Sequence, residues 1–70
     1  MHMKLTNPKQ TRDLLARRQN WFTVADIATG INKHPNTIRK LRIGEAVAED
    51  TMIELAAKLD KHPMDIAEFV

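Results

Sequence analysis

Four side chains that can contact the bases of a nucleic acid share one face of a predicted helix near the middle of the chain. The segment PNTIRKLRI begins at Pro35, and its apolar residues Ile38 and Leu41 mark the side of the helix that must be buried. Successive side chains of a helix are rotated by about 100° around its axis, so four residues fall within about 50° of the direction opposite to the buried side. These residues are Asn36, Arg39, Lys40 and Ile43.

The chemistry of this face suits the edges of base pairs in the major groove of double-stranded DNA. Arg39 can donate two hydrogen bonds to guanine, and Asn36 can form a bidentate pair with adenine. Lys40 can bind guanine or a phosphate, and an aliphatic side chain such as Ile43 can contact the thymine methyl group. Ordinary solvated charges are the alternative interpretation of Arg39 and Lys40.

A second segment begins with the same three residues, Lys-His-Pro, and then diverges. KHPNTIRKLR begins at Lys33, KHPMDIAEFV begins at Lys61, and each has a Pro where a helix can start. The corresponding face of the second segment carries Met64, Ala67 and Glu68, which cannot bind bases in the same way. The difference favours a functional face in the first segment.

The distribution of charge supports the same interpretation. Residues 1–43 contain nine Lys and Arg against two Asp, whereas residues 44–70 contain two Lys against seven Asp and Glu. A chain with this asymmetry is expected to present one positive side, which attracts a polyanion even though the net charge is only +2. A chance imbalance on a solvated surface is the alternative.

Length and composition indicate one domain, residues 1–70, of a size at which a single core is marginal and oligomerisation helps. The chain has no Cys, which excludes disulfides and thiolate metal sites. No apolar run is close in length to the roughly 18 residues that a membrane-spanning helix needs. We therefore expect a soluble cytoplasmic protein that does not bind a membrane.

Periodicity predicts an all-α fold of five helices, because no alternating run of β-branched or aromatic residues indicates a strand. The predicted helices span about residues 8–19, 23–31, 35–43, 49–59 and 63–69. Asn7 and Thr23 are expected to cap the first two helices, the second with Asp26 in a capping box. Asn32 suits a left-handed turn, and Gly44 is expected to close the third helix.

The buried side chains follow from the same pattern. Trp21 and Phe22 are expected to supply bulky core, with Phe22 packing on Ile27 across the start of the second helix. The apolar residues of the fourth and fifth helices are expected to complete the core. They are Met52, Ile53, Leu55, Ala56, Leu59, Ile66 and Phe69.

The stretch TVADIATGINKHPNTIRKL, residues 23–41, resembles the helix-turn-helix of the lambda-repressor-like family, which includes Cro-type and Xre-type repressors. Ala28 stands where an Ala packs between the two helices of the motif, and Asn32 stands where the family usually has a turn Gly. The resemblance extends to about residue 69. It implies a compact five-helix lambda-repressor-like DNA-binding domain whose motif spans about residues 23–43.

The resemblance also implies a set of contact residues. Base reading would fall on His34, Pro35, Asn36, Arg39 and Lys40, in agreement with the helical-wheel argument. Phosphate contacts would fall on Thr23, Lys33, Thr37 and Arg42. For Thr23 a physical reason exists, because a helix N-terminus offers free amides and partial positive charge. Arg42 lies close to the buried side, so pairing with the acidic fourth helix is an equal alternative for it.

We therefore expect a sequence-specific transcriptional regulator, acting as a repressor, that works as a symmetric homodimer on double-stranded DNA. The alternative is a protein-interaction module, such as an antitoxin that binds a protein partner. No cofactor or catalytic residue is expected, because the chain has no phosphate-binding Gly loop or nucleophile arrangement. His34 and His62 are expected to cap helices rather than bind metal.

Overall fold

Five helices and three short strands make up the computed structural model, which describes residues 1–70. In chain order the elements are β1 (His2–Leu5), α1 (Pro8–Gln19), α2 (Val24–Ile31), α3 (Pro35–Arg42), β2 (Val47–Ala48), α4 (Glu49–Lys58), α5 (Pro63–Ile66) and β3 (Ala67–Phe69). None of the helices is long and apolar enough to cross a membrane; the longest, α1, has 12 residues.

The predicted all-α, five-helix fold is wrong, because the domain is α+β with a three-stranded antiparallel sheet of order β2-β1-β3. In β1, Met3 and Leu5 are buried while His2 and Lys4 are exposed. This alternation is that of a half-buried strand, but its residues are neither β-branched nor aromatic. The strand therefore forms because two partners pair with its backbone, which a search for strand-forming residues does not detect.

The second correction concerns the end of the chain, where the predicted helix 63–69 ends at Ile66. Ala67 adopts extended backbone angles, φ −146° and ψ 167°, and its N–H still bonds to the Pro63 carbonyl. From Ala67 onward the chain pairs with β1, with Leu5 opposite Ala67 and Met3 opposite Phe69. Pairing with β1 outweighs the weak helical tendency of so short a segment.

The predicted helix starts and the central turn are confirmed. Asn7 Oδ1 accepts a hydrogen bond from Gln10 N at 3.2 Å, so it caps α1. Thr23 and Asp26 form the capping box of α2. Asn32 has a left-handed backbone at φ 55°, as does Gly44 at φ 85° after α3.

The core consists of 15 buried apolar residues contributed by every element. Ile38 and Leu41 of α3 are in this core, as are Met52, Leu55 and Ala56 of α4. Three expected core residues are not: Phe22 is 62% exposed, Ile53 is 47% exposed and Phe69 is 42% exposed. Trp21 packs partly buried against the core.

The side chain of Trp21 packs directly on the bare backbone of Gly30 in α2. A Cβ placed on Gly30 would overlap the six-membered ring of the Trp21 indole. The absent side chain of Gly30 therefore makes room for the aromatic ring, although Gly is a poor residue in a helix interior.

We predict that Gly30→Ala destabilises the domain by ~1 to 3 kcal/mol, because it overpacks the Trp21 contact. Urea unfolding followed by circular dichroism measures the change. In a Trp21→Leu background the same substitution should instead stabilise, by up to ~1 kcal/mol, because only helix propensity remains. An equal loss in both backgrounds would contradict the steric explanation.

Candidate nucleic-acid interface

The geometry of the site begins with the turn between α2 and α3. Asn32 ends α2 in the left-handed conformation, and Lys33 N then donates to the Ala28 carbonyl at 2.9 Å. Ala28 is 5% exposed, and Ile31 and Ile38 on either side of the turn are buried as well. The turn is thus held by its own hydrogen bonds and by a shared apolar contact, which fixes the direction of α3.

The residues expected to read bases lie together on the exposed side of α3. Asn36, Arg39 and Lys40 are exposed, and Ile43, which caps the helix, is 70% exposed. The opposite side of α3 is sealed, since Ile38 is 0% and Leu41 is 1% exposed. The contiguous face derived from helical periodicity therefore exists, while its contact with bases stays a prediction.

Two residues of this face are joined to each other. Arg39 Nη1 donates to Asn36 Oδ1 at 2.6 Å, one turn of helix apart. The bond limits the rotamers of both side chains and leaves the Asn36 amide nitrogen and the remaining guanidinium N–H groups free to bond elsewhere. The pair is therefore partly ordered before any ligand binds.

His34 and Pro35 form the start of α3. His34 Nδ1 accepts a hydrogen bond from Asn36 N at 3.0 Å, and Pro35 occupies the first helical position. His62 caps α5 in the same way, accepting from Met64 N at 3.1 Å. The helix-cap prediction for both histidines is confirmed. The Nε2 edge of exposed His34 stays free for a contact beside the α3 face.

Thr23 is already engaged at the start of α2. Its Oγ1 accepts from Asp26 N at 3.1 Å, while Asp26 Oδ2 accepts from Thr23 N at 3.2 Å and from Phe22 N at 3.1 Å. These backbone bonds, that from Thr23 foremost, hold the pKa of Asp26 below its ordinary value. A phosphate at this helix end would lie close to the negative charge of the Asp26 carboxylate, which weakens the anion site expected there.

Lys33 is also paired. Its Nζ lies 2.9 Å from Asp50 Oδ2, and this pair ties the α2–α3 turn to the first turn of α4. The hydrogen bond raises the pKa of Lys33 and lowers that of Asp50. A DNA phosphate would therefore compete with Asp50 for the Lys33 ammonium group.

The remaining predicted phosphate ligands, Thr37 and Arg42, lie on opposite flanks of α3. Thr37 and Lys40 border a groove of about 170 Å³ that reaches His2 and Thr51. Arg42 is half-buried, and the domain has two salt bridges, Lys4–Glu68 and Lys33–Asp50. Pairing of Arg42 with α4, which the sequence left open, is therefore not formed.

Arg42 instead borders a groove of about 360 Å³ that sequence reasoning did not find. Its lining residues are Arg12, Val24, Arg39, Arg42 and Ile43. Arg12 belongs to α1, and no short motif connects it to α3. The only signal in the sequence was the general excess of Lys and Arg in residues 1–43.

Comparison with known proteins identifies no relative of this chain. No protein-family model matches it, and no curated protein or solved structure matches it either. The resemblance to the lambda-repressor-like helix-turn-helix is therefore one of residue pattern, and function must be inferred from the residues and their geometry.

We predict that Asp26→Asn lowers the thermal stability of the domain in a pH-dependent manner. Because the folded-state pKa of Asp26 is depressed, its stabilising effect is fully present above the ordinary value of 3.8 and is lost as the pH falls through the lowered value. The difference in melting temperature between wild type and Asp26→Asn should therefore shrink in acid.

The control is Asp13→Asn, since the Asp13 carboxylate is exposed and forms neither a salt bridge nor a side-chain hydrogen bond. This substitution should change the melting temperature little. A wild-type advantage over Asp26→Asn that stays constant down to about pH 2 would contradict the assignment of the effect to carboxylate ionisation.

Proposed function

We propose that this domain is a sequence-specific DNA-binding module of the helix-turn-helix type. In this proposal α3 enters the major groove of double-stranded DNA and the protein regulates transcription as a repressor. The observation that carries the proposal is the exposed face of α3, where Asn36 and Arg39 are hydrogen-bonded to each other beside Lys40 and Ile43. The resemblance of residues 23–41 to helix-turn-helix proteins supports it.

The roles of the side chains follow from their chemistry. Arg39 reads guanine, Asn36 reads adenine, and Lys40 binds guanine or a phosphate at the edge of the groove. His34 and Pro35 approach the bases at the beginning of α3. The hydrogen bond between Asn36 and Arg39 orients both groups, so less side-chain entropy is lost on binding.

Backbone contacts would fix the register of α3 in the groove. Lys33 and Arg42 supply charge at the two ends of α3, and Thr37 supplies a hydroxyl on its flank. Thr23 would contribute through the start of α2, in competition with Asp26. Charge contacts of this kind bind all DNA sequences alike and make affinity depend on salt.

A protein partner is the second candidate, and one surface favours it. Ile53, Met64 and Phe69 are exposed apolar residues that line a groove of about 350 Å³ together with His62, Pro63, Met3 and Glu49. This surface suits a protein better than DNA. An antitoxin that binds a partner protein would use it, and its binding should depend little on salt.

Selection of bound duplexes from a pool of random DNA tests the main proposal. Enrichment of one sequence, with binding that weakens steeply as KCl rises from about 50 to about 200 mM, is the expected result. Equal recovery of all sequences, or binding to DNA that does not respond to salt, would contradict it.

A symmetric dimer completes the proposal. One domain covers only a few base pairs, whereas a two-fold pair reads two half-sites about 34 Å apart. The acidic second half of the chain should face away from DNA, which leaves Met64, Phe69 and Val70 as the exposed apolar end. Ala67, which lies between Met64 and Phe69 in the sequence, is buried at 2% exposure and does not contribute.

We predict that Arg39→Ala loses sequence preference more than general affinity. Loss of a bidentate base contact costs ~1 to 3 kcal/mol of discrimination. Fluorescence anisotropy on the selected duplex and on random duplex measures both affinities. Arg17→Ala, which removes an exposed α1 arginine, is the control and should keep the preference. Equal losses on both duplexes with Arg39→Ala would make Arg39 a phosphate ligand instead.

We predict that Lys33→Ala weakens binding to all sequences alike, with a salt slope shallower by about 1. Asp50→Asn is the matched variant, because it frees the Lys33 ammonium group from its ion pair. It should strengthen binding to random duplex, and this gain should disappear when Lys33→Ala is added. An unchanged slope for Lys33→Ala would remove Lys33 from the interface.

We predict that two copies of the protein bind each selected duplex, and that the selected sequence has two-fold symmetry. Sedimentation at several protein concentrations, with and without duplex, gives the stoichiometry and shows whether DNA completes the dimer. A single copy at saturation on a site without symmetry would contradict the dimer.

A further inference from the structure

Three arginines from two helices border one groove and none of them is neutralised. Arg12 comes from α1, and Arg39 and Arg42 come from α3, around a groove of about 360 Å³ whose other walls are Val24 and Ile43. None of the three forms a salt bridge, and the single side-chain hydrogen bond among them joins Arg39 to the neutral amide of Asn36. Like charges gathered without a carboxylate repel one another, so an anion bound between them would relieve an unfavourable interaction.

The groove adjoins the α3 face described above. Arg39 and Ile43 belong to both, so a ligand that covers the α3 face also contacts the groove. Val24 is the first residue of α2, and Arg12 comes from α1. The groove therefore runs from the proposed base-reading residues toward the start of α2, along the side where a DNA strand would pass.

The start of α2 is a poor source of positive charge for that strand. The carboxylate of Asp26 already accepts the N–H groups of Phe22 and Thr23 and places a negative charge on the helix end. The favourable charge on this side comes instead from the guanidinium groups. Arginine also suits phosphate better than a helix end that already carries a carboxylate, because its planar group can bond two phosphate oxygens at once.

We propose that this groove binds the phosphate backbone of duplex DNA, and that Arg12 makes α1 a third contact element beside α2 and α3. Arg42, which is half-buried and lines the same groove, is its partner in this site, while Arg39 extends past the groove to the bases. The inference rests on the proposed function, since it concerns the same bound duplex. It assigns a backbone contact to a helix outside the helix-turn-helix.

The experiment measures binding of a fluorescein-labelled duplex, about 30 base pairs long and of random sequence, by the full chain at a series of KCl concentrations. In a plot of the logarithm of the binding constant against the logarithm of the salt concentration, each neutralised phosphate contributes about 0.9 to the slope. Wild type, Arg12→Gln, Arg42→Gln and Arg17→Gln are compared. Arg17 is the matched control, because it is an exposed arginine of the same helix that does not line the groove.

The expected result is a slope shallower by about 0.9 for Arg12→Gln and for Arg42→Gln, so that the loss of affinity is about threefold larger at 50 mM KCl than at 200 mM. Arg17→Gln should match the wild type. Arg12→Lys, which keeps the charge, should restore most of the slope. Melting curves confirm that each variant is folded.

Two outcomes separate the failure of this inference from the failure of the proposed function. If the wild type binds the duplex with a steep salt slope, but Arg12→Gln and Arg17→Gln behave alike, α1 is not a contact element and the inference is wrong. If the wild type does not bind duplex DNA at all, the proposed function fails and this inference fails with it. A protein or nucleotide ligand at the groove would give that second result.

Discussion

Pairing of the N-terminal strand with two distant segments is the interaction on which the rest of the domain depends. β1 lies in the middle of the sheet, so its loss would leave β2 and β3 without a partner. Met3 and Leu5 also fill the core beneath it, at 1% and 4% exposure. Hydrogen bonds at both ends extend the pairing, from Thr6 N to the Ile66 carbonyl and from Val70 N to the His2 carbonyl. In a domain of this size, which buries a limited core, such non-local backbone pairing closes the chain into one unit.

The strand also positions the proposed interface. Because β2 follows α3 after a short turn and pairs with β1, the C-terminal end of α3 is attached to the sheet. At the other end of α3, the Asn32 turn and the buried contact of Ala28 with the core fix its direction. α3 is thus constrained at both ends by backbone structure. Its exposed face is therefore not needed to hold the helix in place. A helix of eight residues is too short to be stable alone, so its orientation depends on these attachments and on the burial of Ile38 and Leu41 in the core.

Local signals were sufficient for the starts of the helices and insufficient for the sheet and for the end of α5. Asn7, Thr23 with Asp26, Asn32 and Pro35 all act within four residues of their own position, and the sequence shows such effects directly. β1 depends on partners more than forty residues away, and its Met and Leu residues carry little intrinsic strand preference. The same distinction holds for the site. Helical periodicity predicts the face of α3, whereas the position of Arg12 beside Arg42 and the pairing of Lys33 with Asp50 are tertiary and have no local pattern.

The ion pair between Lys33 and Asp50 shows how one carboxylate can serve the fold without preventing binding. Asp50 lies in the first turn of α4, where a negative charge is favourable to the helix dipole, and it also holds the Lys33 side chain at the turn. The Asp50 side chain is 67% exposed, so water and salt weaken the ion pair. A DNA phosphate, surrounded by others of the same sign, attracts Lys33 through the field of the whole strand rather than through one contact. Transfer of the ammonium group from Asp50 to DNA therefore costs little, and the freed Asp50 carboxylate keeps its favourable interaction with α4.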